Sequence, residues 1–282
     1  MALSFLNKRS QERDMTFVDH LEELRWHIVR SLLAIIVMAI LLFIKMDWFF
    51  DTIILGPIRK DFISYEGLCR FSHWVGMGDS LCMPAVDAKL QATTFGSQFI
   101  SSISIAFVGG FILAFPYVFW EFWKFIKPAL TTKEVRTTRF AIIFVSFFFF
   151  SGAAFGYYLL APFTFSFLGN YHLGQSKILE TRPMLSDYVD NLVNITLGAA
   201  LSFQLPVIAY VMTRIGIITP KFLRTYRKYA YVAILVVAAI ITPSPDWMSQ
   251  MIVTIPLIIL YELSILISAR VFKVMEEDRM RD

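Results

Sequence analysis

The sequence predicts an all-α integral membrane protein with six transmembrane helices and both termini on the cytoplasmic side. Of its 282 residues, 57% are hydrophobic and 17% are charged, whereas a soluble domain is about 45–50% apolar and about 25% charged. The apolar residues are concentrated in six long stretches that are nearly free of charge, which is typical of membrane helices. Because no linker or low-complexity segment divides the chain, we expect residues 1–282 to form a single membrane domain.

The first three spans follow from the charges that bound them. Span one covers approximately residues 24–44, and Arg30 lies close enough to its start to extend its side chain to the membrane surface. Span two covers approximately 93–120 within a charge-free stretch of 31 residues. Such a helix would be about 46 Å long, so it must tilt, bend or protrude from a hydrocarbon core about 30 Å thick. Span three covers approximately 140–165.

Spans three and four contain residues that affect helix geometry. Gly152 and Gly156 in span three are spaced as in a close helix-packing surface. Span four, approximately 191–213, contains Gln204 followed by Pro206. Proline removes a backbone donor and frees a carbonyl group, so we expect span four to bend there.

The last two spans are predicted to be short. Span five, approximately 229–241, stops at Pro243, and its 13 residues would rise only about 20 Å. Span six, approximately 248–269, is interrupted by Glu262 after 14 residues. Two short helices side by side should thin the membrane locally or leave a water-filled notch. If loop residues continue these helices past the stated limits, the thinning does not arise.

The orientation follows from the distribution of Lys and Arg. The side that holds both termini and the connections after spans two and four carries 19 of these residues, and the opposite side carries 7. The positive-inside rule then places both termini in the cytoplasm. The net charge of +4 is accordingly a signal of topology and does not indicate binding of nucleic acid.

The only two cysteines, Cys69 and Cys82, both fall in the first outer connection. If that side faces an oxidising compartment, a disulfide could close this connection. Two free thiols in an ordered loop are the alternative, and spacing alone does not decide between them.

Motifs for enzymatic chemistry are absent from the sequence. The nearest approach to a nucleotide-binding loop begins at Gly169 and has Gln175 where the motif requires Lys. The four histidines are split across the membrane and show no metal-ligand spacing, and no G-x-S-x-G motif occurs. We therefore expect no enzyme activity, no cofactor and no metal.

Two adjacent acids precede span one in the motif HLEELR. Glu22 lies three residues before Arg25, so it has a cationic partner within its own helix. Glu23 lies one turn before His27 and has no such obvious partner. The alternative is that both acids simply favour the start of a helix through its dipole.

Two further acids lie between spans two and three. Glu134 is a candidate polar site, although Thr131 and Glu134 also have the spacing of a capping box that starts span three. Glu121 lies among Trp120, Trp123 and Lys124, which resembles an interfacial aromatic belt. We interpret Glu121 as structural.

These pieces in this order resemble the TatC family, the multispanning receptor subunits of the twin-arginine (Sec-independent) protein translocase. The resemblance covers nearly the whole chain. It rests on six segments: HLEELR before span one, Gly56-Pro57 after it, FPYVFWEFWKFIKPALTTKE between spans two and three, SFQLPV in span four, GIITPKFLRTYRKY before span five and ITPSPDWMSQ before span six.

The resemblance implies a six-helix bundle shaped like a cupped hand in the bacterial inner membrane. It implies binding of twin-arginine signal peptides and export of folded proteins by the proton-motive force, with small single-span subunits of the TatA/TatB type in an oligomeric receptor complex. By motif, Glu23 and Glu134 receive the arginines, while Arg25, Phe125 and Leu130 shape that site. Partner docking or outer structural roles fall to Pro57, Asp246 and Gln250.

Physical chemistry agrees with this implication, because each arginine is best met by a carboxylate in a bidentate pair.

One residue departs from the family pattern, which often has a glutamate within span four where this chain has Gln204. Glutamine forms hydrogen bonds but does not titrate. A proton relay at Gln204 is therefore in doubt, while a polar docking role remains open.

Two other classes of function stay open on the sequence. A secondary transporter of small solutes would show internal repeats and broken helices near the membrane centre. Here spans two and four share only a faint similarity around Pro116 and Pro206. A passive insertase or membrane scaffold is the third candidate, and binding of a twin-arginine peptide would separate the three.

Overall fold

The computed structural model describes residues 17–126 apart from positions 75, 77, 83 and 85–88, and residues 138–171, 182–242 and 247–281. Within these ranges, regular structure is helical, with one isolated bridge between Gln91 and Met184. The helices are α1 (Phe17–Ile44), α2 (Met46–Phe49), α3 (Ile63–Trp74), α4 (Ser97–Ile126), α5 (Thr138–Phe155), α6 (Ala161–Asn170), α7 (Leu185–Ser202), α8 (Leu205–Arg214), α9 (Pro220–Thr225), α10 (Arg227–Ile241) and α11 (Trp247–Arg281).

Several helices are long and apolar enough to cross a membrane, which makes the chain a multi-pass membrane protein. Five such stretches lie in the described residues: Glu22–Ile44, Ser97–Phe125, Ile142–Asn170, Leu185–Arg214 and Gln250–Glu277. The third is a composite in which a π-helical turn, Gly156–Leu160, joins α5 to α6. Helix α10, which lies between the last two of these stretches in the chain, is shorter than they are and is the remaining span.

The fifth membrane helix is short, as the sequence predicts. Helix α10 has 15 residues, which gives a rise of about 22 Å, less than the thickness of an unperturbed hydrocarbon core. The sixth helix is not short, because α11 runs without a break for 35 residues. The expected interruption at Glu262 is wrong. Its carboxylate accepts hydrogen bonds from Arg227 and Tyr231 of α10, at 2.6 Å each, so the acid is accommodated inside a continuous helix.

The predicted bend in the fourth span is confirmed. Helix α7 ends at Ser202 and α8 begins at Leu205, with Pro206 in the first turn of α8. The missing N–H of a proline costs nothing in a first helical turn, because that donor has no partner within the helix. Phe203 and Gln204 therefore form the joint between the two helices.

Glycines set the close approach of neighbouring helices. A Cβ atom at Gly110 of α4 would lie 2.7 Å from the backbone nitrogen of Ala39 in α1. At Gly152 of α5 it would lie 2.7 Å from the carbonyl oxygen of Ala199 in α7, and Gly156 meets α7 in the same way. The packing surface predicted for Gly152 and Gly156 is thus present, and it faces α7.

Tyrosine hydroxyl groups join the helices at the end of the bundle where α1 ends. The hydroxyl groups of Tyr157 and Tyr188 donate to the carbonyl oxygens of Ile53 and Ile54 at 2.6 Å. These carbonyls belong to the turn that follows α1, so the third and fourth spans hold the outer end of the first.

In the core, Phe149 is fully buried and stacks on Phe115, with ring centroids 3.5 Å apart.

Candidate functional site

A buried acid joins the first two membrane spans at the end where α1 begins. Glu121 of α4 is only 1% exposed, and its Oε2 lies 2.6 Å from Nδ1 of His27 in α1. Lys124 donates to the other oxygen at 2.9 Å, and Arg30 lies 4.0 Å from Oε2. A buried carboxylate is tolerated only when it is paired and hydrogen-bonded. Glu121 meets this requirement with groups from both helices.

His27 stands between this buried acid and the predicted peptide-binding acid. Its Nε2 lies 3.9 Å from Oε1 of Glu23, one helical turn earlier in α1. Because a carboxylate only accepts hydrogen bonds, the short contact of Nδ1 with Glu121 assigns the donated proton to that nitrogen. The Glu23 side chain is 36% exposed. The only ionisable group within 4 Å of its carboxylate, among the described residues, is the more distant nitrogen of His27.

The predicted pairing of Glu22 with Arg25 does not form. Both side chains are exposed, and no ion pair within 4 Å joins them in the described part of α1. An exposed pair at this spacing contributes little free energy against the conformational entropy of two long side chains. The side chains of Glu22 and Arg25 are therefore both exposed to solvent. Glu22 precedes Glu23 in the sequence and Arg25 follows it.

Phe125 lies beside this cluster, as expected of a residue that shapes the site. Its ring meets the imidazole of His27 edge-on, with centroids 6.3 Å apart. Helix α4 ends at Ile126, one residue later. Glu134 and Leu130, the other two residues predicted for this site, lie outside the described residues.

The sequence did not identify Glu121 as part of the site. Its aromatic surroundings suggested an interfacial belt, and Lys124 does lie 3.5 Å from the centroid of the Trp120 ring. The available signal was the acid itself, three residues before a lysine and inside an otherwise apolar helix. An ionisable residue in such a position marks a functional cluster by default.

At the outer end, Pro57 is fully buried in a 3₁₀ turn, Gly56–Ile58. The Tyr65 hydroxyl donates to the Pro57 carbonyl oxygen at 2.7 Å, and burial raises the pKa of Tyr65 to about 12. A Cβ atom at Gly56 would lie 2.5 Å from the Tyr157 hydroxyl oxygen. Pro57 is therefore part of a rigid corner between α1 and α3.

Two amides predicted as docking or structural residues bridge helices. Nε2 of Gln250 in α11 donates to the Leu235 carbonyl of α10 at 3.3 Å. Nε2 of Gln204 donates to the Val145 carbonyl of α5 at 3.3 Å, while its Oε1 is buried and has no partner among the described residues. Gln204 thus fixes the joint between α7 and α8 against α5. Asp246 lies outside the described residues.

The outer connection brings its two cysteines together. Cys69 and Cys82 are joined as a disulfide, with Cα atoms 4.3 Å apart. Cys69 lies in α3, and Cys82 follows a 3₁₀ turn, Gly78–Leu81.

Comparison with known proteins places these features in one family. The family model described as Sec-independent protein translocase protein (TatC) matches residues 19–256. A protein of that name from a Blattabacterium species is 38% identical over 274 residues, covering 94% of this chain and 99% of the relative. Another, from Halalkalibacterium halodurans, is 32% identical over 96% of each chain.

Solved structures agree. The chain is similar to a crystal structure described as the twin arginine translocase receptor TatC, with a TM-score of 0.67 and 29% sequence identity. The match covers 88% of this chain and 97% of that one. A second structure of the receptor, in DDM, matches with a TM-score of 0.68 at the same identity.

Proposed function

Since the chain belongs to the TatC family, we propose that it is the receptor and core subunit of a twin-arginine protein translocase. It binds twin-arginine signal peptides at the cytoplasmic face of the bacterial inner membrane, where both of its termini lie. Together with small single-span subunits of the TatA/TatB type, it exports folded proteins by means of the proton-motive force. Its role is one of binding and assembly, without a catalytic step.

The observation that carries this proposal is the state of Glu23. Its carboxylate is partly exposed at the start of α1, and its one ionisable neighbour in the described residues, His27, is 3.9 Å away. An arginine guanidinium binds a carboxylate through two parallel hydrogen bonds. Glu23 has the charge and the exposure to accept such a group from outside the chain.

The cations around the site support the same role. Lys124 and Arg30 approach Glu121, as does the imidazole of His27, and Lys124 and His27 are at hydrogen-bonding distance. Because Glu121 engages Lys124 and Arg30, neither of these two cations lies within 4 Å of Glu23 in the described residues. Glu121 therefore keeps Glu23 available for an external arginine.

The second arginine is assigned to Glu134, in the connection between α4 and α5. This assignment rests on the motif, and its support is that α4 ends beside Phe125, next to His27 and Glu23. Leu130 and Arg25 are assigned to the rim of the same site. The apolar part of the signal peptide then has exposed apolar helix surface to lie against.

Partner subunits are assigned to the surface of α10 and α11. Apolar side chains of both helices are strongly exposed, among them Ile240 at 77% and Ile259 at 61%. Gln250 lies in the first turn of α11, Asp246 is assigned to the same surface by its motif, and a single apolar helix docked here would cover this face.

A peptide-binding assay tests the proposal. The full-length chain in membrane vesicles is exposed to a fluorescent twin-arginine signal peptide that carries a photo-crosslinker. Glu23→Ala/Glu134→Ala should weaken binding by at least tenfold, and a peptide with two lysines should bind the wild type less well than the arginine peptide. Glu22→Ala, an adjacent exposed acid, is the matched control and should bind as the wild type does. Equal binding by the double variant, or indifference to the lysine substitution, would refute the assignment.

A further inference from the structure

Four side chains of the kinds that bind metal ions meet in the outer connection. Cys69, His73, Asp79 and Cys82 each offer one ligand atom, and these four atoms lie within 4.8 Å of one another. A disulfide needs only the two cysteines. The convergence of a histidine and an aspartate on the same point is an additional feature.

The local backbone produces this convergence. Cys69 and His73 are four residues apart in α3, so they lie on the same face of the helix. The chain then reverses through Gly76 and Gly78, whose φ angles of 80° and 59° are in the region that favours glycine. The Ser72 hydroxyl donates to the Gly78 carbonyl oxygen at 2.6 Å and fixes the reversal.

The 3₁₀ turn Gly78–Leu81 completes the arrangement. It places Asp79 and Cys82 over the helical face that carries Cys69 and His73. All four residues come from a segment of fourteen positions, so the cluster does not depend on the packing of distant helices.

The distances between the ligand atoms are those of a tetrahedral site. Sγ of Cys82 lies 3.8 Å from Nε2 of His73 and 3.7 Å from Oδ1 of Asp79. The His73 nitrogen lies 3.1 Å from the same aspartate oxygen. With Zn–S bonds of about 2.3 Å and Zn–N or Zn–O bonds of about 2.0–2.2 Å, the edges of a zinc tetrahedron are about 3.3–3.8 Å, and the longest edge joins the two sulfur atoms. These three distances are close to tetrahedral edges, and the two sulfur atoms must separate for the ion to be bound between them.

We propose that this cluster binds one Zn²⁺ ion when Cys69 and Cys82 are thiols, and that the disulfide and the zinc site are alternative states of the same loop. An external dithiol supplies two electrons and two protons, which convert the disulfide to two thiols while the dithiol becomes a disulfide. Zn²⁺ binding then releases two protons from the thiols. Two thiolates, an imidazole and a carboxylate form the ligand set.

The ligand chemistry favours zinc over the harder divalent cations. Thiolates select Zn²⁺ and Cu⁺, whereas Mg²⁺ and Ca²⁺ prefer sites made of oxygen atoms. The cluster has one carboxylate among its four ligands. Both sulfur-bearing residues are half-buried, while His73 and Asp79 are exposed, so an ion can reach the site from solvent.

Metal titration of the full-length chain in detergent tests the proposal. One sample is reduced with a phosphine and kept free of oxygen, and a second is left oxidised. The reduced chain should bind one more equivalent of Zn²⁺ than the oxidised chain, as measured by elemental mass spectrometry. With Co²⁺ as a spectroscopic probe, the reduced chain should show a thiolate-to-cobalt charge-transfer band.

Variants separate the cluster from other zinc-binding groups. His73→Ala should weaken Zn²⁺ binding by the reduced chain at least tenfold, and Cys69→Ser/Cys82→Ser should remove the extra equivalent. Glu66→Gln is the matched control, since Glu66 lies on α3 but pairs with Arg70 outside the cluster. Equal zinc binding by the reduced and oxidised chains, or by His73→Ala and the wild type, would overturn the proposal.

Discussion

Nδ1 of His27 lies 2.6 Å from Oε2 of Glu121, although 94 positions separate the two residues in the sequence. This contact is the only one of the inner cluster that joins α1 to α4 through a buried hydrogen bond within the described residues. It also fixes the orientation of the His27 imidazole, whose other nitrogen lies 3.9 Å from Glu23. The stability of the α1–α4 pair and the availability of Glu23 to an external arginine therefore both depend on the His27 side chain.

Removing the imidazole should destabilise the bundle. His27→Ala leaves the buried Glu121 with one fewer partner, and a buried polar group left short of a hydrogen bond costs about 1–3 kcal/mol. A double-mutant cycle with Glu121→Gln, measured by thermal unfolding in detergent, should give a coupling free energy of about 1–3 kcal/mol. Additive effects of the two substitutions would show that the contact contributes nothing.

Glu121 should also affect peptide binding without touching the peptide. Glu121→Gln releases Lys124 and Arg30, which are then free to neutralise Glu23. We expect several-fold weaker binding of a twin-arginine peptide in this variant. The double variant Glu121→Gln/Lys124→Gln should recover part of the loss, because the competing cation is gone. If Glu121→Gln binds as tightly as the wild type, Glu121 does not protect Glu23.

The ion pair between α10 and α11 should matter through its partners. Glu262→Ala removes the acid that pairs with Arg227, and Arg227→Ala leaves the Glu262 carboxylate with the hydrogen bond from Tyr231 alone in the described residues. Each single variant should lower the midpoint of thermal unfolding. Arg227→Met/Glu262→Met should be at least as stable as either, because the two side chains are 45% and 36% exposed and an exposed ion pair contributes little free energy. A double variant that is the least stable of the three would contradict this account.

Small residues at the α1–α4 contact should be intolerant of added volume. Gly110→Ala places a Cβ atom 2.7 Å from the Ala39 backbone, and overpacking of this kind costs about 1–3 kcal/mol. Gly67→Ala is the control, since nothing lies within 4 Å of a Cβ atom there. That change in a helix should be neutral or should stabilise by about 0.5–1 kcal/mol. Thermal unfolding of the two variants compares them, and equal midpoints would count against the close contact.

The corner at Pro57 should respond to alkaline pH through Tyr65. The phenol is neutral when protonated, and its pKa rises from 10.0 to about 12 in the folded chain. Its contribution to stability is therefore complete below pH 10 and is lost as the pH rises through about 12. Tyr65→Phe should be less sensitive to pH than the wild type over this interval. Parallel alkaline unfolding curves for the two proteins would exclude the effect.

The sequence predicts the membrane helices well, because the exclusion of charge from lipid leaves a pattern that needs no knowledge of packing. The bend at Pro206 and the short α10 follow from the same local chemistry. The sixth helix was misjudged at Glu262, since its partners Arg227 and Tyr231 are some thirty positions away in the sequence. A local pattern does not show which distant group pairs with a charged residue in an apolar helix.

The inner site was predicted in part for a similar reason. Glu23 and Phe125 were identified through motifs, and the structure places both beside His27. Glu121 was interpreted from its aromatic neighbours in the sequence, whereas its role is set by His27 across the α1–α4 contact. The cluster around Cys82 was likewise missed, because His73 and Asp79 match no standard metal-binding spacing and meet only through the reversal at Gly76 and Gly78.

The exposure of α1 has a consequence for how the chain is made. Most of its apolar side chains face outward, with Leu33 and Val37 each 55% exposed, whereas Ile195 and Ala200 of α7 are fully buried. Of these two helices, α1 therefore depends less on burial against the rest of the molecule. Helix α1 can enter the lipid before the other helices are made, whereas α7 is buried only after the helices that pack around it have been synthesised.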